Sequence, residues 1–168
     1  TDPENLELRL VLAKQLQKTG QINEASIVLE VVAKILDGSQ ANDGEYTEDV
    51  LIDAHKVYIA QRIIQNQIKL EDNDIVIDQE LVVLADRLLL KNWPVSEKFH
   101  MFNGFSNFLQ ESTQRHVLET LQDQSKNDFD ILPRINKALA RSYLASGKVE
   151  DATNVYERIF KTEEDVTK

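Results

Sequence analysis

Three histidines, His55, His100 and His116, are the side chains best suited to proton transfer or metal binding near neutral pH. They are scattered along the chain, and none has a second histidine or a carboxylate at a repeating ligand spacing. Asp53 stands two residues before His55, but residues two apart on a helix do not face each other. The acidic stretch from Glu71 to Asp78 invites comparison with a calcium loop. It lacks the loop glycine and the spaced bidentate glutamate of an EF-hand. There is no cysteine, which excludes a thiol nucleophile, a disulfide scaffold, a zinc finger and an iron–sulfur site. No H-E-x-x-H, G-x-S-x-G, phosphate-binding glycine loop or dinucleotide fingerprint occurs. The expectation is a protein that is not an enzyme and uses no cofactor or metal.

Cations make the one polar pattern that stands out. Arg134, Lys137 and Arg141 recur at i, i+3 and i+7, so a helix would place them on one stripe. The chain as a whole carries a net charge of −10. Its last quarter, residues 129–168, has seven acidic and seven basic side chains and is therefore neutral. A basic stripe in such a chain suits an acidic peptide or an acidic patch of a neighbouring subunit. The overall negative charge argues against nucleic-acid binding, which needs a basic surface.

The elements that must carry these residues read as helices. Apolar residues recur at three and four almost everywhere, and strict alternation is nearly absent. Leu6, Leu8, Leu12, Ala13 and Leu16 mark a first helix that stops at Gly20, and Ile22 to Leu36 forms a second. A longer helix runs from about Thr47 to Leu70. A fourth carries Leu81, Leu84, Ala85, Leu88 and Leu89, with Ile75 to Ile77 leading into it, and ends at Asn92-Trp93-Pro94. Pro94 suits the first turn of a fifth, which holds Phe99, Phe102, Phe105 and Leu109. Ser112 or Thr113 can cap a sixth, and Asp130 a seventh that runs to Ser146 with Pro133 in its first turns. Val149 to Ile159 gives an eighth. The expected fold is all-α, about eight antiparallel helices in four hairpins, as one domain over residues 1–168. Hydrophobic residues make up 42%, enough for a packed core, and no apolar run approaches the ~20 residues of a membrane span.

Two of these hairpins share a spacing. Leu12-Ala13, Leu16, Gly20, Ala25 and Leu29 match Leu139-Ala140, Tyr143, Gly147, Ala152 and Tyr156 position for position. The alanines let antiparallel helices approach closely, and glycine makes the tight turn. This spacing resembles the tetratricopeptide repeat, a 34-residue helix–turn–helix unit. The opening Asp2-Pro3-Glu4-Asn5 resembles the end of a preceding unit, so the chain reads as a piece of a longer protein. Arg9 and Asn136 stand where the repeat expects an early aromatic, and residues 45–128 lack the glycine–alanine signature.

The resemblance implies a right-handed α–α superhelix whose first helices line a concave binding face. On that face the first unit would offer Leu10, Lys14, Gln17 and Lys18, and the last Arg134, Lys137, Arg141 and Leu144. Lys137 and Arg141 stand where some chaperone-binding members hold a C-terminal carboxylate. The complete clamp also needs a lysine and an asparagine in an earlier unit, where this chain has Leu10 and Lys14. The implied function is a non-catalytic scaffold or adaptor that binds a protein partner. The competing function is a structural α-solenoid segment of a large assembly. Apolar residues exposed on the outer faces of the first or last helix would favour that second function. The absence of a leader pattern and of any Asn-x-Ser/Thr sequon fits an intracellular, cytoplasmic protein.

The other outlier is aromatic. Phe99, Phe102, Phe105 and Phe108 fall within ten residues, after Trp93 and with Met101. Burial in the core is the expected fate of so much apolar area. Exposure of Phe108 or Met101 would instead make this segment a partner site.

Overall fold

The structure, a computed structural model, describes residues 3–38, 44–70 and 77–166. Among them are eight α-helices, one short 3-10 turn and no strand. The chain divides into two compact units, Thr1–Val76 and Ile77–Lys168.

The first unit holds α1 (Pro3–Lys18), α2 (Ile22–Leu36) and α3 (Glu48–Leu70). Its core is built from Leu6, Leu10, Ala13, Leu29, Val32, Ile35, Leu36, Ala54 and Val57. Leu6, Leu10 and Ala13 recur at four and three, which aims one stripe of α1 at its neighbours. Leu8 and Leu12, expected among the core markers of α1, instead point outward. They lie on the opposite side of the cylinder from Leu6 and Leu10, so one helix cannot bury both sets against the same partner. Ala13 and Ala25 are fully buried, as expected of small residues where helices meet closely.

α3 is tied across the α1–α2 hairpin by amides. Gln17 Nε2 donates to Val57 O at 3.2 Å and to Gln61 Oε1 at 3.1 Å. Gln61 Nε2 donates to Ile22 O and to Ser26 Oγ, both at 2.9 Å, and Gln65 Nε2 reaches the same hydroxyl at 2.6 Å. Gln61 is buried, and a buried amide costs stability unless it is bonded. These bonds therefore fix where α3 lies along the hairpin.

The second unit holds α4 (Gln79–Leu90), α5 (Val95–Phe105), the 3-10 turn Ser106–Phe108, α6 (Glu111–Gln124), α7 (Leu132–Ala145) and α8 (Val149–Val166). Trp93, Phe99, Met101, Phe102, Phe105 and Phe108 are all buried. The aromatic segment is core, and neither Phe108 nor Met101 offers a surface. Phe102 and Phe105 meet edge to face, with centroids 6.0 Å apart and planes at 82°.

The turns of α1–α2 and α7–α8 are built alike. Gln21 N donates to Leu16 O at 2.9 Å and Gly20 N to Gln17 O at 3.2 Å. Lys148 N donates to Tyr143 O at 2.9 Å and Gly147 N to Leu144 O at 3.0 Å. Both patterns satisfy the last helical carbonyls through a left-handed glycine, with φ of 76° at Gly20 and 72° at Gly147. Ala140 and Ala152 are buried in the second of these hairpins, as Ala13 and Ala25 are in the first.

Helix starts depart most from expectation. α4 begins only at Gln79, with Asp78 as cap: its Oδ1 accepts from Glu80 N at 3.0 Å and Leu81 N at 3.4 Å. Ile75 and Val76 lie outside the described residues. Pro94 is the cap of α5 rather than a member of its first turn, and α5 closes at Phe105. Leu109 is consequently not on α5 but in an extended link, still buried. Neither Ser112 nor Thr113 caps α6, because the chain is already helical there; Gln110 takes the position without a side-chain bond. Asp130 does not cap α7 either. Asp128 Oδ1 instead accepts from Asp130 N and Ile131 N at 3.2 Å, and the helix starts at Leu132 with Pro133 in its first turn.

Candidate interaction site

Helix α7 presents the basic stripe. Ile135, Asn136, Leu139 and Ala140 are buried, and this fixes the rotation of the helix. Arg134, Lys137, Arg141 and Leu144 consequently lie together on its exposed side. The Arg134 guanidinium stands 5.8 Å from the centre of the Phe99 ring, which anchors one end of the stripe on the aromatic core. Leu144, 47% exposed, places an apolar group beside Arg141 and Lys137. Such a stripe suits carboxylates, held by charge-assisted hydrogen bonds, with one hydrophobic contact at its end.

The neighbouring helix holds α7 in that rotation. Gln122 Nε2 donates to the buried Asn136 Oδ1 at 2.7 Å. Arg115 Nη2 donates to Ser146 Oγ at 2.8 Å, and its guanidinium lies 5.7 Å from the Tyr143 ring centre. The Tyr143 hydroxyl donates to Glu119 Oε1 at 2.7 Å. Burial, then this bond and the charge of Glu119, push the phenol up to about 12. It therefore serves as a donor throughout the physiological range.

The first unit supplies less than the resemblance implies. Leu10 is buried in the core and cannot line a groove. Lys14 Nζ is bound to both carboxylate oxygens of Asp53 on α3, at 2.9 and 2.8 Å. Gln17 is likewise turned onto α3. Lys18 alone of the four is exposed. The face expected to receive a ligand is thus the face on which α3 packs.

Histidine chemistry finds no site either. His55 is buried, with Nδ1 2.7 Å from Leu51 O, whereas His100 and His116 are exposed on separate helices. Among the described residues no group of three His, Cys, Asp or Glu side chains could hold a metal. Of the acidic loop, Glu71 to Val76 lie outside the described residues, and Asp78 is spent on its helix cap. No described helix is long and apolar enough to cross a membrane.

Sequence reasoning missed an apolar strip on α1. Leu8, Val11 and Leu12 are 69%, 65% and 49% exposed, at i, i+3 and i+4. The signal was present: α1 has apolar residues at 6, 8, 10, 11, 12, 13 and 16, too many for one stripe. Val149 and Phe160 are similarly exposed on α8. No protein-family model, curated protein or solved structure matches this chain.

Proposed function

We propose that this chain is a non-catalytic protein-interaction scaffold that holds an acidic partner peptide or subunit on a concave helical face, to which α7 contributes its exposed stripe. The observation that carries the reading is the grouping of Arg134, Lys137, Arg141 and Leu144 on one exposed stripe of an otherwise acidic protein. The two alike hairpins support a tetratricopeptide-like architecture, in which hairpins stack as a right-handed α–α superhelix. In the same reading the protein works in the cytoplasm, without cofactor. In the first unit, Lys18 is exposed as a separate candidate contact, and Lys14 offers only what its bond to Asp53 leaves open.

The test is the triple charge reversal R134E/K137E/R141E, compared with the wild-type chain by co-purification from the native cell. Loss of partners retained by the wild type, with helicity intact by circular dichroism, is the expected result. Undiminished recovery would sink the reading.

A second reading, a structural α-solenoid segment of a large assembly, is favoured by the exposure of Val149 and Phe160 on the last helix. It expects V149E/F160E to drop out of high-mass complexes on gel filtration of native lysate. Retention of the variant in those fractions counts against it.

A further inference from the structure

We propose that the α7–α8 hairpin is a seat for an acidic amphipathic helix of a partner protein, docked there as α3 is docked on α1–α2. This deepens the reading of the α7 stripe as an interaction surface and rests on it. The two hairpins correspond residue for residue through Gly20 and Gly147. On the first, one side already holds a helix. Lys14 binds both carboxylate oxygens of Asp53, and Gln17 reaches Val57 O and Gln61. On α2, Ile22 O and Ser26 Oγ accept from Gln61. α3 therefore lies along one side of the hairpin, running in the same direction as α1.

The counterparts of those residues are bare. Arg141 stands for Lys14, Leu144 for Gln17, Val149 for Ile22 and Thr153 for Ser26. All four are exposed, as is Lys137, whose counterpart Leu10 is buried. Phe160, also exposed, continues the α8 row at i, i+4 and i+11. The opposite side of α7 is covered by α6. Ile135 and Leu139 are buried there, beside the Asn136 bond to Gln122. Their counterparts on α1, Leu8 and Leu12, are exposed. A hairpin of this kind thus has two packing sides, and each side is covered by a helix in one of the two copies.

The residues that differ between the hairpins define the occupant. Lys137 and Arg141 are four apart, so a helix running with α7 meets them with carboxylates one turn apart. α3 has such a pair in Asp49 and Asp53. Leu144 stands where Gln17 bonds Gln61, so the partner's residue at that position is apolar. Phe160 stands where α2 has Ala33 and offers a larger apolar anchor. Apolar residues at helical spacing beside a charged row are the marks of a surface that takes an amphipathic helix. Arg134 lies outside the seat, since its guanidinium is turned onto Phe99.

The probe is a fluorescent peptide of residues 47–70 carrying Q61L, titrated into the full chain with anisotropy as the readout. We expect saturable one-to-one binding. In the chain, R141E, V149E and F160E should each weaken it about tenfold, with circular dichroism unchanged, and R134E should leave it as it is. D53K in the peptide should weaken binding likewise, and the D53K peptide with the R141E chain should recover most of the loss. A peptide carrying the helix-breaking K56P should lose binding. Absence of saturable binding overturns the proposal. So does binding that survives V149E and F160E, or a charge swap without recovery. Equal binding of the K56P peptide means that the stripe takes an extended segment, which overturns the helix seat and leaves the acidic-partner reading standing. Self-association of the chain that F160E abolishes gives the seat to a second copy and also overturns the proposal. The acidic-partner reading falls separately, on undiminished partner recovery by R134E/K137E/R141E.

Discussion

Lys98 is buried at 4% exposure, and among the described residues no carboxylate forms an ion pair with it. Its Nζ donates to Gln124 Oε1 at 3.0 Å and to Leu89 O at 3.4 Å, near the carbonyl ends of α6 and α4. The partial negative charge at helix C-termini offsets part of the lost hydration. Burial still lowers the amine below its ordinary range. The unfolded chain therefore binds more protons than the folded one as pH approaches the ordinary lysine value of ~10.4, so this group makes stability rise with pH there. Tyr143 acts in the opposite sense. Its folded value is raised to about 12 from 10.0, so its contribution is present below pH 10 and is lost between the two values. Urea midpoints measured across pH 8 to 12 should show both trends. K98M should lose the rise below pH 10, and Y143F the fall above it. At Gly20 and Gly147 a Cβ would meet nothing within 4 Å, so only the left-handed backbone resists substitution. G20A and G147A should each cost about 1 kcal/mol in denaturant unfolding.

At the scale of the helix, the amide bonds around Gln61 set register rather than supply large net stability. Q61L should cost about 1–3 kcal/mol, because Gln17 and Ser26 lose partners in a half-buried setting. The measurement is chemical denaturation, with exchange of the α3 amides as a second readout. Helix existence was legible from the chain because apolar spacing records which faces meet. Gly20 and Gly147 were legible as terminators for an equally local reason. Caps were harder. Asp78 caps α4, and Asp128 bonds the turn ahead of α7, whose own cap position, Ile131, makes no side-chain bond; Ser112, Thr113 and Asp130 have equally suitable side chains and cap nothing. The choice among them depends on where the preceding turn delivers the chain. Phe105 ends α5 for a similarly non-local reason: the 3-10 turn brings Phe108 O to Asp78 N at 3.0 Å, anchoring the start of α4. The stripe on α7 was legible because its residues share one helix. The engagement of Lys14 with Asp53 was not, since the partners are 39 residues apart.

Across the whole molecule, charge and apolar surface are distributed unevenly. Acidic excess lies in residues 1–128, while residues 129–168 are neutral and carry the stripe. Binding of an acidic partner there should weaken as salt rises, because exposed charges are screened over about 10 Å at 0.1 M ionic strength. Titration of an acidic-apolar peptide at 50 and 500 mM salt checks this. A salt-independent affinity would assign the binding to Leu144 and its apolar surroundings instead. Burial of Lys98 has one more consequence, for proteases. Trypsin must seat a lysine side chain in its own pocket before it can cut. While the second unit is closed, this lysine is withheld, and the bond after it lies inside α5. Scission at Lys98 thus reports opening of that unit, and its rate against denaturant measures how often the unit breathes.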